Sequence, residues 1–399
     1  MAGKDKKPEI RFAEFTDSWE QRKLGEYFEE RTERSGEGEL ISVTMNSGVV
    51  KASELDRYDN SSNDKSNYKK VEVGDIAYNS MRMWQGASGY SPYSGILSPA
   101  YTVVVPTEGV YSPFFACMFK RPEMLHKFTR NSQGLTSDTW NLKFPSFSTI
   151  ETKAPDYAEQ VKISRFFKNL DNLITSHQFK SDKLVTIKKS MLKKMFPKDS
   201  ANVPEIRFAG FTDPWKQFKV SDVLTEQSRP IVMDDEETYR LITVKRRNGG
   251  IVSRGFLKGK DILVKNYYEV HEGDYVISKR QIIHGANGIV PKSLDKSIVS
   301  NEYLVCSGNE QITSEFWGLM SKLPVMYRQF LLSSYGVDIE KMVFNVEDWK
   351  KRMITIPSIP EQNKITEYFA SLDKLITLHQ RKLEKLKNIK KSMLDKMFV

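Results

Sequence analysis

Two stretches of this chain place apolar residues in alternating steps of four and three. In the first, Ile163, Phe167, Leu170, Ile174, His177, Ser181, Leu184, Lys188, Met191 and Met195 mark one face. In the second, Ile365, Phe369, Leu372, Ile376, His379, Leu383, Leu386, Lys390, Met393 and Met397 do the same. That spacing is a coiled-coil seam. Neither stretch holds Gly or Pro, and Pro155, Pro357 and Pro360 stand at the entries, where proline is tolerated. About 37 residues at 1.5 Å each predicts helices roughly 55 Å long. One such helix cannot bury its stripe alone, so pairing within the chain is the economical solution. His177 and His379 share one seam position and read as polar residues that fix register.

Outside the seams the pattern changes to short apolar or β-branched runs between turn residues. Ile76–Asn79, Ala100–Val105 and Arg240–Val244 read as strands. Gly74-Asp75 and Gly273-Asp274 read as turns entering strands, while Pro113–Lys127 and Ser314–Leu331 read as helices. The fold class expected is α+β: two similar mixed α/β domains joined by two long helices packed as an antiparallel coiled coil. The antiparallel sense follows from a pseudo-twofold internal duplication. PEIRFAEFTDSW (Pro8–Trp19) returns as PEIRFAGFTDPW (Pro204–Trp215), and the helical stretch from Pro155 to Phe196 returns from Pro357 to Phe398. Between these flanks the sequences diverge, yet Gly86-Ala-Ser-Gly89 still aligns with Gly285-Ala-Asn-Gly288, and Gly134 with Gly336.

With 399 residues, two similar halves each have room for an ordinary core. No run of 18 apolar residues occurs, so no membrane span is expected. The charged opening MAGKDKKPEIRF lacks the apolar stretch of a secretory signal. Cys117 and Cys306 sit in apolar settings without CxxC spacing and are expected as buried free thiols in a reducing cytoplasm. The net charge of +10 resides in the helical stretches: +6 from Glu159 to Asp199 and +4 from Glu361 to Val399. Solvated helix faces would account for this, as would a basic surface near phosphates.

Catalytic signatures are missing. No two prolines are adjacent, which excludes the Asp/Asn-Pro-Pro-aromatic motif of amino-group DNA methyltransferases. P-loop, HExxH, GxSxG and GxGxxG patterns do not occur. The five histidines form no ligand cluster along the chain. Glu151-Thr-Lys153 with Asp138 loosely resembles a nuclease carboxylate set, but has no counterpart in the second half.

What remains are diverged stretches inside a matching frame, rich in side chains that hydrogen-bond phosphates or base edges. The first half offers Asn79, Ser80, Arg82, Trp84 and Gln85; the second offers Ser278, Lys279, Arg280, Gln281 and His284. Loops around Gly134 (Thr136, Ser137) and Gly336 (Tyr335, Lys341) form a second pair. A third candidate is Arg240–Lys265, with Lys245, Arg246 and Arg247 and eight Lys/Arg against one acid.

The P-x-x-x-EQ-x-x-I entry into each long helix, and GDIAYNSMRMWQGASGYSPYSGILSPAYTVV from Gly74 to Val104, resemble the specificity subunits of bacterial type I restriction–modification enzymes. The resemblance covers essentially the whole chain. It implies target-recognition domains at 1–157 and 198–357, with spacer helices at 158–197 and 358–399. Each domain would read one half of a split, asymmetric site in double-stranded DNA. Two methyltransferase subunits and motor-nuclease subunits would dock on the chain. S-adenosylmethionine, ATP and Mg would belong to those partners, with no cofactor or metal in this chain and a cytoplasmic location. The second half departs from the family-like tract, with Ile283-His284 where Trp84-Gln85 stand. A scaffold of tandem protein-binding domains on a coiled-coil stalk would also explain duplication and rod, though not the family-like tracts.

Overall fold

A computed structural model describes residues 7–56, 61–198 and 201–399. The chain forms two compact units: Met1–Phe179 with His379–Val399, and Lys180–Leu378. Each long helix, Tyr157–Lys194 and Ile359–Lys396, contributes one part to each unit.

The first unit is built on a four-stranded antiparallel sheet in the order Phe28–Glu30, Tyr101–Pro106, Ile76–Asn79, Ser88–Tyr90. In the second unit the order is repeated by Leu224–Glu226, Tyr303–Gly308, Tyr275–Ser278 and Asn287–Ile289. One face of each sheet packs on short helices: Ser112–Met118, Pro122–Asn131 and Phe144–Ser148 in the first unit. Their counterparts are Ser314–Met320, Pro324–Leu332 and Val346–Lys350. The single helices expected at 113–127 and 314–331 are therefore each two. Pro122 and Pro324 start the second of each pair, because proline suits a helix's first turn and breaks its interior.

The other face of the second sheet is covered by a further sheet, ordered Ile251–Lys258, Thr238–Val244, Ser297–Ser300, Tyr267–Val270. In the first unit the equivalent strands form two antiparallel pairs, Ile41–Thr44 with Gly48–Lys51 and Lys69–Val71 with Gly95–Leu97, linked by a Leu40–Ile96 bridge.

The repeated motifs clamp each unit to its own helical segment. Arg11 donates twice to the buried Glu159 carboxylate, at 2.7 and 2.6 Å, and Arg207 does the same to Glu361 at 2.6 and 2.7 Å. The adjoining Gln160 and Gln362 are almost wholly buried, and their amides donate to the Pro155 and Pro357 carbonyls. Trp19 packs edge-on against Phe114 and Phe398, as Trp215 does against Phe316 and Phe196. The Lys-x-Met-Phe ending of each helix thus places its Phe in an aromatic core. The Gly-Asp turns are structural too: Asp75 is nearly buried and paired with Arg31 at 2.7 Å, and Asp274 with Arg229 at 2.6 Å.

Within each unit the helical segments run antiparallel. Asp171 meets Lys390 at 2.6 Å and Phe167 meets Phe398 in the first unit; in the second, Lys188 meets Asp373 at 2.5 Å. Every seam position is buried or half-buried. The two histidine rings face each other in the first unit, with Nδ1 atoms 2.8 Å apart.

Candidate nucleic-acid interface

The strand Ile76–Asn79 ends in a tight descent. Asn79 accepts the Met81 N–H through its side chain and the Arg82 N–H through its carbonyl. A single 3-10 turn, Met83–Gln85, comes next, and Gly86 closes it at φ +82°, a left-handed conformation that a residue with a Cβ adopts at a cost. The second unit builds the same device from other side chains. Tyr275–Ser278 leads into the 3-10 turn Ile282–His284, closed by Gly285 at φ +73°. Only the inward residues agree in character: Met83, Ile282 and Ile283 are buried.

A second loop is bolted to each turn by one backbone hydrogen bond. The Leu142 N–H donates to the Ser80 carbonyl at 2.8 Å, and the Phe344 N–H to the Lys279 carbonyl at 3.2 Å. In the first unit Trp140 also meets Trp84 edge-on at 5.2 Å. The two pairs of diverged loops, well separated in sequence, therefore form one surface per unit.

In the second unit a third loop joins them. The hairpin turn between Thr238–Val244 and Ile251–Lys258 has Arg247 and Asn248 at φ +58° and +54°. The Arg247 N–H donates to the His284 carbonyl and the Asn248 N–H to that of Gly285. Arg246 donates to both Gln281 and Glu340, and His284 lies 3.5 Å from Glu340. Lys245, Arg246 and Arg247 are exposed.

The remaining residues named from sequence divide by exposure. Arg82, Thr136, Ser137, Arg280, Tyr335 and Lys341 are exposed; Asn79, Gln85, Ser278, Lys279, Gln281 and His284 are half-buried at the rim. Trp84 is half-buried, with its indole N–H on the Met81 carbonyl and its ring on Trp140, so it braces the turn. Ser80 is buried, its hydroxyl 2.8 Å from that of Thr102. It shares the strand's inward pleat and leaves the set of outward-facing candidates. In the basic stretch Arg240–Lys265, Lys258 and Lys260 pair with Glu236 and Lys265 with Asp235, all open to solvent. Its hairpin turn alone reaches the other loops. The Arg280–Glu302 pair, 2.7 Å apart, is open to solvent and worth about 0–1 kcal/mol.

A cleft of about 740 Å³ lies beside this surface in the first unit, with Asn79, Arg82, Tyr68 and Tyr101 among its lining residues. Another, of about 560 Å³, runs between the Met45–Val49 hairpin and the helical segments, lined by Lys120, Arg165, Lys168 and Lys390 against Asp171. Lys120 donates to the carbonyls of Met45 and Gly86 and so props the 3-10 turn from behind. Burial, with Lys390 nearby, pushes its pKa down to about 8. Sequence reading missed this residue because a lone lysine between two short helices carries no pattern. Both cysteines are free thiols, Cys306 buried and Cys117 half-buried, and burial pushes both up to about 12. Among the described residues no group of three or more His, Cys, Asp or Glu could hold a metal ion, and no helix is long and apolar enough to cross a membrane.

Residues 212–388 match the family described as type I restriction modification DNA specificity domain. The chain is similar to the type I restriction enzyme MjaVIII specificity subunit of Methanocaldococcus jannaschii, 22% identical over 262 residues. That alignment covers 62% of this chain and 61% of the relative, so it spans less than two thirds of either. In fold, the chain resembles the type I restriction-modification S subunit from M. genitalium at a TM-score of 0.57 and 12% identity, covering 98% of this chain and 99% of that one.

Proposed function

We propose, from the premise that this chain belongs to the specificity subunits of type I restriction–modification systems, that it is the non-catalytic subunit that reads a split, asymmetric site in duplex DNA. Each unit reads one half through its turn-and-loop surface. The observation that carries this reading is the same scaffold presented twice with different outward side chains: Arg82 and Gln85 in one copy, Lys279, Arg280 and Gln281 in the other. Identical scaffolds give both halves the same approach to a groove, and different side chains give different words. Arginine and glutamine supply the paired donors and acceptors that base edges require, and lysine holds phosphates. The finer assignment comes from the family: target-recognition domains at 1–157 and 198–357, spacer helices at 158–197 and 358–399, and two methyltransferase and motor-nuclease subunits as partners. S-adenosylmethionine, ATP and Mg act in those partners, in the cytoplasm.

Alanine at Arg82, Lys279, Arg280 and Gln281 together tests the interface. In complex with the methyltransferase subunits, the variant is expected to lose specific affinity. A base-reading arginine accounts for about 1–3 kcal/mol at one position, and a phosphate-holding lysine weakens all sequences alike and flattens the salt dependence. Unchanged affinity and an unchanged methylation map would remove these loops from the interface.

A further inference from the structure

Leu135 and Val337 occupy equivalent positions in the two copies, each immediately after the aligned glycine, Gly134 or Gly336. Both are fully exposed, at 101% and 105% of the reference area. Neither stands on a loose loop. A Cβ on Gly134 would fall 2.6 Å from the Thr139 carbonyl oxygen, and one on Gly336 would fall 2.8 Å from the Met342 Cα. Each loop is folded so closely on itself there that only glycine fits. In the first unit the loop is closed by the Gln133–Asn141 bridge and by Thr139 hydrogen-bonding Thr136. In the second it is closed by the Ser334–Tyr335 and Val343–Phe344 ladder and by Asp338 capping the turn at Ile339. The bolts to Ser80 and Lys279 hold both loops beside the 3-10 turns. The duplicated frame therefore aims a fully exposed aliphatic side chain outward at the equivalent position in each unit, at the edge of a polar, cation-bearing surface; in the second unit the partly exposed Ile339 and Val343 follow in the same loop.

Water gives an aliphatic side chain no reason to be held there, and a phosphate backbone offers it no partner. A base pair does: the thymine 5-methyl group is the one aliphatic group displayed in the major groove. We infer that Leu135 and Val337 are apolar base contacts, each packing on a thymine methyl within the half-site its own unit reads. The inference rests on the DNA-reading function proposed above. It predicts that each word contains an A·T pair read through its methyl, next to positions read by polar side chains of the 3-10 turn.

The test uses the full chain in complex with methyltransferase subunits, on the site found by mapping methylated positions. Leu135→Ala and Val337→Ala are expected to weaken specific binding about five- to tenfold each, as one or two lost methyl contacts would. The salt dependence stays as in the parent, because no phosphate contact is lost. Replacing thymines one at a time by deoxyuridine, which lacks only the methyl, is expected to weaken the parent at one position per half, by about fourfold. At that same position Leu135→Ala or Val337→Ala should be indifferent to the replacement. Since both side chains are fully exposed, melting temperatures should match the parent's and exclude misfolding as a cause. Parent-like binding by the double variant, or a parent indifferent to every deoxyuridine, would overturn the inference while leaving DNA reading intact. A parent complex that did not distinguish its mapped site from a scrambled duplex would overturn both.

Discussion

At the scale of single residues, the chemistry of this protein is set by where polar groups are forced to go. Lys120 is the clearest case. Half-buried at the edge of a cleft, its ammonium meets the Met45 and Gly86 carbonyls, and the desolvation there lowers its pKa from 10.5 to about 8. The unfolded chain keeps the proton up to about pH 10.5, whereas the folded chain releases it near 8. Between those values the unfolded state binds more protons, so this group's contribution to stability rises with pH; below about pH 8 its penalty stands in full. Lys120→Met removes the effect. The stability difference, parent minus variant, should grow between about pH 8 and pH 10.5 in urea unfolding. A flat difference would place that proton release elsewhere. The Lys322 ammonium, at the equivalent position in the second copy, is also lowered by burial, with Lys188 adding to it.

At the scale of elements, the repeated motifs act as fasteners. PEIRF lies far from the helix it serves, but its arginine reaches the first turn of that helix and neutralises a carboxylate that is almost wholly buried: Glu159 for Arg11, Glu361 for Arg207. Removing one partner of such a pair strands a buried charge. Arg11→Ala is expected to cost about 3–5 kcal/mol, and replacing both Arg11 and Glu159 by methionine considerably less. A double-mutant cycle by denaturant unfolding measures this, and additive losses would show that the two side chains act independently. Strand and helix boundaries obey the same local logic. Proline divides each pair of short helices, and left-handed glycines end the turns Met83–Gln85 and Ile282–His284.

At the scale of the whole molecule, the two long helices are expected to set the spacing between the two words. Both are continuous for 38 residues, and both contribute to each unit. Four residues inserted near Ser181 lengthen one helix by about 6 Å and rotate the remainder of that helix by roughly 40°. DNA rises about 3.4 Å per base pair. The unread gap should therefore grow by about one or two base pairs while both words persist. Methylation maps of parent and insertion variant check this; several gap lengths in the parent would mean a flexible tether instead.

The sequence alone determined what depends on local periodicity and on repetition. The four-three stripe made the long helices and their seam legible, because an apolar stripe must be buried somewhere and the chain holds two. The duplication made two similar α/β units legible, and the family-like tract from Gly74 to Val104 made their kind legible. Tertiary structure decided which of the diverged residues face outward. Ser80 and Arg82 are two positions apart, yet one is buried against Thr102 and the other exposed, because the turn that follows the strand points them in different directions. The fold also carries the hairpin turn at Arg247 and Asn248 against the Ile282–His284 turn, and sets Lys258 and Lys265 beside Glu236 and Asp235. Leu135 and Val337 are apolar, yet both stand fully exposed beside glycines around which the backbone closes. Periodicity reports which face of an element is buried; it carries no information about loops, whose side-chain directions are fixed by contacts distant in sequence.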